Sequence, residues 1–140
     1  MIYLSRQIVR TLPPRNRRLE AATLENWIRR HVRFTRDPIG AELVTGPNEL
    51  IRLIGLFGSW SEDCDAIACL CFALLQSIGI PTTLVFIATT DESAQDGKID
   101  HVYCEIESEA GDPVIIDPAL PPAYKAQIPR LTKRAWIWQR

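Results

Sequence analysis

Three side chains of this sequence could together do chemistry: Cys64, His101 and Asp117. A thiol is a nucleophile once it loses its proton. An imidazole can hold that proton and return it, and a carboxylate keeps the imidazole in one tautomer and stabilises its protonated form. The set suits acyl transfer: the sulfur attacks a carbonyl carbon, and the imidazole protonates the departing amine. Residues so far apart in the chain meet only if the elements carrying them converge at one edge.

The cysteine lies in the stretch that organises the rest, Trp60 to Pro81. Ser61 and Asp63 are N-cap residue types, and Asp65 adds negative charge to a first turn. Ile67, Leu70, Cys71, Leu74, Leu75 and Ile78 recur at three- and four-residue steps, which predicts a helix with one apolar face. Gly79 suits the position after the helix, and Pro81 cannot continue it. Cys64 therefore falls on the first turn. Unpaired N–H groups and the positive end of the helix dipole there favour a thiolate. The same N–H groups can stabilise an oxyanion.

The histidine and the carboxylate fall on predicted strands. Thr82–Ala88 is β-branched and apolar, as in a buried strand. His101–Glu107 alternates. Ala110-Gly111-Asp112-Pro113 reads as a hairpin turn, and Val114–Asp117 as a strand stopped by Pro118. A turn that short pairs its strands antiparallel. His101 opens one strand and Asp117 closes its neighbour, so both reach the same sheet edge.

The other segments are expected to support this frame. Residues 1–17, with Pro13-Pro14, read as an irregular N-terminal arm with a strand at Tyr3–Val9. Residues 18–33 predict an amphipathic helix that the chain leaves through Phe34–Ile39 at Asp37-Pro38. A short helix starts at Pro47 and runs to Ile54, followed by a flexible approach at Gly55, Gly58 and Ser59. Thr89–Asp100 reads as a polar surface loop. Residues 121–140 are proline-punctuated and wrap the surface, with Trp136-Ile137-Trp138 docking as a last strand.

The chain has 140 residues, 46% of them hydrophobic and 24% charged, with a formal charge of −1. That suits a single globular domain over 1–140 and gives no global pull toward nucleic acid or an anionic membrane. The arginines between Arg6 and Arg36 read mainly as a solvated face. No signal peptide or membrane-spanning run is visible, so a cytoplasmic protein with reduced thiols is expected. Cys69, Cys71 and Cys104 read as core or strand residues, and His31 as a packed or solvated helix residue. The sequence lacks a Cys-x-x-Cys pair, and His31 and His101 are its only histidines, so neither a metal nor a cofactor is expected.

Taken together, three blocks resemble the transglutaminase-like superfamily. Asp63-Cys64-Asp65-Ala66-Ile67-Ala68, closing in Gly79-Ile80-Pro81, is similar to that family's nucleophile helix. His101-Val102-Tyr103-Cys104-Glu105-Ile106 resembles its histidine strand, and Val114-Ile115-Ile116-Asp117-Pro118 its final Asp-Pro step. The likeness covers roughly residues 25–120. Arg36-Asp37-Pro38, Glu42 and Pro47 are similar to short stand-alone phage and prophage members. The resemblance implies an α+β, papain-like fold with the nucleophile helix packed on an antiparallel sheet. It implies Cys64 as nucleophile, His101 as base and Asp117 as orienting carboxylate, with Asp63 and Asp65 in support. Trp60, just upstream, becomes an oxyanion candidate through its indole N–H, with core packing as the competing use.

Two departures stand out. Glu62 replaces the family's usual glycine, and Ala66 its second aspartate. A carboxylate turned toward the sulfur would oppose thiolate formation. The reading is therefore a cysteine peptidase or amidase acting on a peptide or protein, with hydrolysis favoured over cross-linking. The alternative is a catalytically silent fold serving as a binding or assembly module.

Overall fold

A computed structural model describes residues 1–140 except Pro14, Ile39, Glu42 and Arg140. The readings that drew on Pro14, Ile39 and Glu42 lie outside the described residues.

The central helix, α4 (Cys64–Ser77), begins where its sequence places it. Asp63 is the N-cap, and the carboxylates of Asp63 and Asp65 both accept from the Ala66 N–H, at 3.4 and 2.9 Å. At the far end Gly79 takes a left-handed φ of 81°. This lets the Ile80 N–H reach back to the Leu75 carbonyl at 3.1 Å. Ile67, Leu70, Cys71, Leu74 and Leu75 are buried.

Strands β3 (Thr82–Ala88), β4 (His101–Glu107), β5 (Pro113–Ile116) and β6 (Arg134–Gln139) form one antiparallel sheet in the order β5-β4-β3-β6. One sheet face supplies Leu84, Val102, Cys104, Ile106 and Ile116 to the core shared with α4. Helices α1 (Ile2–Val9), α2 (Arg17–His31) and α3 (Pro47–Phe57) complete that core through Leu4, Leu24, Ile28, Leu50 and Ile54. Two short parallel strands, β1 (Val32–Phe34) and β2 (Trp60–Glu62), tie the end of α2 to the approach to Cys64. The other sheet face packs Val85, Ile87 and Tyr103 on Ile128 of the C-terminal segment. That segment holds two single-turn helices, α6 (Pro122–Lys125) and α7 (Ile128–Leu131).

Three expectations need correction. The N-terminal arm is helix α1, not an irregular strand. Met1, Leu4 and Ile8 share one helical face on the core, and buried Ser5 accepts from the Ser77 hydroxyl at 2.8 Å. Tertiary burial outweighs the strand preference of Tyr3, Ile8 and Val9. The Thr89–Asp100 segment is not all loop, because it contains α5 (Asp91–Asp96). Thr90 caps it by accepting from the Ser93 N–H at 3.1 Å, and Asp100 accepts from the Thr89 N–H at 2.7 Å and the Ser93 hydroxyl at 2.9 Å. The approach to Cys64 is also regular. Helix α3 runs on to Phe57, and Gly58, at φ 80°, turns the chain into β2. The C-terminal strand expected at Trp136–Trp138 is present as β6, paired with β3. No described helix is long and apolar enough to cross a membrane.

Candidate active site

The β4–β5 register pairs Cys104 with Ile116. One further step sets Asp117 opposite Tyr103, on the strand face that also carries His101. The two side chains meet diagonally: His101 Nε2 lies 2.6 Å from Asp117 Oδ2. A carboxylate only accepts, so Nε2 carries the proton. The other oxygen, Oδ1, accepts from the Ala119 N–H at 3.1 Å. Asp117 is 1% exposed and His101 12%, so their bond is shielded from water.

Cys64 lines the same cleft as His101 and bears on its ring electrostatically. Burial pulls the His101 pKa down, but the hydrogen bond to Asp117, then that to the Cys64 thiol, and both charges together raise it to about 9. With Nε2 on the carboxylate, Nδ1 is the nitrogen left to meet the sulfur. A pKa raised that far favours the imidazolium form of the ring at neutral pH.

Cys64, His101 and Asp63 line an open cleft of about 730 Å³. Phe34, Ile87, Ile99, Leu120, Tyr124, Ile128 and Leu131 make most of its wall, with Arg36, Asp37 and Asp100 among its polar lining. Asp37 also accepts from the Leu43 N–H at 2.9 Å. Burial, the neighbouring Asp65 carboxyl and the charge of Asp37 raise the Asp63 pKa to about 7, against the Ala66 N–H, which lowers it. Sequence reasoning missed the apolar wall, because its residues come from four separate stretches of the chain. Among the described residues, no group of three or more acidic, histidine or cysteine side chains could hold a metal ion.

Trp60 is not brought to the cleft as an oxyanion donor. Its indole N–H donates to Glu62 Oε1 at 3.2 Å, and its ring stacks at a tilt on Phe57. The two-residue spacing along β2 puts Trp60 and Glu62 on one side of the strand. Glu62 is itself buried, accepts from the Thr45 hydroxyl as well, and does not line the cleft. The other thiols stand apart from the cleft. Cys71 and Cys104 are fully buried, and hydrogen bonding between them, then burial, pushes the Cys71 thiol well up. Burial, then the nearby carboxylates and thiol, also raises Cys69. His31 stacks on Trp27 at 4.3 Å, with Nδ1 2.7 Å from the Trp27 carbonyl.

A second group of side chains, unnoticed in the sequence, surrounds Asp117. Glu25 of α2 is 3% exposed. Its carboxylate accepts from the Asp117 N–H at 2.9 Å, from Arg29 at 2.8 Å and from Lys125 at 3.0 Å. The signal available was its place. With Ala21, Leu24 and Ile28, Glu25 sits on the apolar face of α2, where a charge needs a reason.

No family model matches the chain, and no curated protein matches it by sequence. Solved structures do match. Calcium-bound LapG of Legionella pneumophila aligns with TM-score 0.57 and 16% identity, over 82% of this chain and 61% of that one. EGTA-treated LapG gives 0.61 and 15%, over 97% and 74%. A candidate cysteine protease from Cytophaga hutchinsonii gives 0.61 and 16%, over 99% and 46%. The chain thus spans about three fifths of the calcium-bound LapG chain. These likenesses establish the fold: an α+β, papain-like and transglutaminase-like arrangement shared with cysteine-protease-like proteins.

Proposed function

We propose that the protein is a thiol-dependent acyl-transfer enzyme, a cysteine peptidase or amidase, with Cys64, His101 and Asp117 as its triad. The observation that carries the reading is the buried 2.6 Å bond from His101 to Asp117, in the cleft that Cys64 also lines from the start of α4.

The Cys64 sulfur attacks a peptide or carboxamide carbonyl, and the carbonyl π pair moves to oxygen. The Ala66 and Ile67 N–H groups of the first turn of α4 are taken by Asp63 and Asp65, so the Cys64 and Asp65 N–H groups are the ones that serve that developing charge. The C–N bond then breaks, its electrons leave with the amine, and His101 supplies the amine's proton. A thioester remains. Two influences that raise the His101 pKa come from Cys64 itself. Acylation removes both, so the imidazole becomes neutral more readily and can take a proton from water. That water attacks the thioester, releasing the acid and regenerating the thiol. The cleft is open to solvent, which favours water over a second amine. Its apolar wall suits a substrate carrying a large apolar side chain beside the scissile carbonyl.

The alternative of a silent binding module rests on Glu62 and on Ala66 in place of the family's second aspartate. The Glu62 carboxylate accepts from Thr45 and Trp60 and does not line the cleft, which supports the active reading over the silent one.

The test is the rate of Cys64 alkylation by iodoacetamide against pH, read by peptide mass spectrometry. Wild type is expected to react with little pH dependence between about pH 6 and 8, and His101→Ala to react more slowly, rising steeply with pH. Identical free-thiol behaviour in both proteins would overturn the reading.

A further inference from the structure

We propose that Glu25 and Arg29 are positioning residues: their partly buried ion pair grips both main-chain polar groups of Asp117 and so aims its carboxylate at His101. The proposal rests on the triad reading above.

The grip is complete at the backbone. Glu25 Oε1 accepts from the Asp117 N–H at 2.9 Å, and Arg29 Nη2 donates to the Asp117 carbonyl at 2.9 Å. The same guanidinium donates to the Leu120 carbonyl from Nη2 at 3.1 Å and from Nε at 3.2 Å, pinning the turn that follows. Glu25 and Arg29 are one helical turn apart and joined at 2.8 Å, so α2 presents them as a single donor–acceptor unit. Lys125 of α6 donates to both Glu25 oxygens at 3.0 Å. Its neighbour Tyr124 lines the cleft.

Stability alone is a poor explanation. Burying the Glu25 carboxylate costs desolvation that offsets much of its attraction to the partly exposed Arg29 and Lys125, and an apolar residue at position 25 would suit that face of α2. Orientation is a better one. The edge strand β5 ends at Ile116, so no ladder partner fixes Asp117 itself. A small rotation of its main chain would swing the carboxylate away from Nε2. At metal sites, removing a group that orients a ligating side chain commonly costs about 10- to 100-fold, and a loosened carboxylate behind a histidine is expected to show an effect of that order.

The experiment uses the full chain carrying Glu25→Gln or Arg29→Lys, with iodoacetamide as probe and His101→Ala as reference. Arg29→Lys keeps the charge and loses the planar fork. Both variants are expected to remain folded by circular dichroism, to alkylate about tenfold more slowly at neutral pH, and to gain the steep pH dependence of His101→Ala. A merely structural pair would lower the melting temperature and leave that profile unchanged. Wild-type profiles in both variants, with His101→Ala altered, overturn the positioning role and leave the triad standing. A wild-type profile in His101→Ala as well overturns the triad and this proposal with it. If Glu25→Gln does not fold, Arg29→Lys decides alone.

Discussion

The imidazole of His101 is held charged by two partners that compete with its burial. Each makes a separate prediction. Asp117→Asn keeps the shape and loses the charge, so peptide or amide turnover is expected to fall at least about 100-fold with little change in fold. Turnover within a few-fold of wild type would contradict an orienting carboxylate. The stability consequence has a definite sign. The folded pKa of about 9 lies above the ordinary 6.5, so the folded state binds more proton between those values. The stabilisation is fully present below about pH 6.5 and is lost as pH rises through about 9. Melting temperature should therefore fall across that window in wild type, and fall less in His101→Gln. The meeting of His101 and Asp117 was legible, because a strand-opening histidine and an aspartate just past the end of the neighbouring antiparallel strand each carry a local signal. Glu25 was not, because only the folded core brings it to Asp117, 92 positions away.

At the scale of elements, α4 decides most of the geometry, and its start is under electrostatic load. The Asp63 pKa is raised from 3.8 to about 7, so the protonated form is favoured in the folded state. Its contribution to stability is present below about pH 3.8 and lost as pH rises through about 7. Asp63→Asn retains a capping side chain and removes the charge. The melting temperature of the variant relative to wild type should therefore rise between about pH 4 and 7. A constant difference across that range would contradict the assignment. Deleting the cap with Asp63→Ala is expected to cost about 1 kcal/mol in urea unfolding, softened by Asp65, which accepts from the same N–H. Strong periodicity made α4, β3 and β4 readable to within a residue or so. Helices α1 and α5 were misread because each is short. Burial of Leu4 and Ile8 decides the first, and the cap by Thr90 with the Asp100 staple decides the second.

At the scale of the molecule, the cleft is assembled from β1 and its following loop, the start of α4, the β3 end and the segment carrying α6 and α7. No single stretch of sequence announces such a wall. Its apolar character predicts selectivity. Among otherwise identical peptides, those with a large apolar residue beside the scissile bond should be cleaved faster than those with a charged one, by about 10- to 200-fold. Tyr124→Ala should narrow that ratio mainly through KM. Equal cleavage of both peptides would contradict a binding role for the wall. The C-terminal strand matters for the frame. Trp138 packs on Phe72 at 5.5 Å, so Trp138→Ala should lower the melting temperature and leave Cys64 reactivity unchanged.

The most direct measurement is an NMR titration of the His101 imidazole in wild type, Cys64→Ser and Asp117→Asn. The expected result is a midpoint near 9 in wild type, falling in each variant, since each removes a group that holds the ring protonated. A wild-type midpoint near the ordinary 6.5, unmoved by either substitution, would contradict a linked thiol, imidazole and carboxylate.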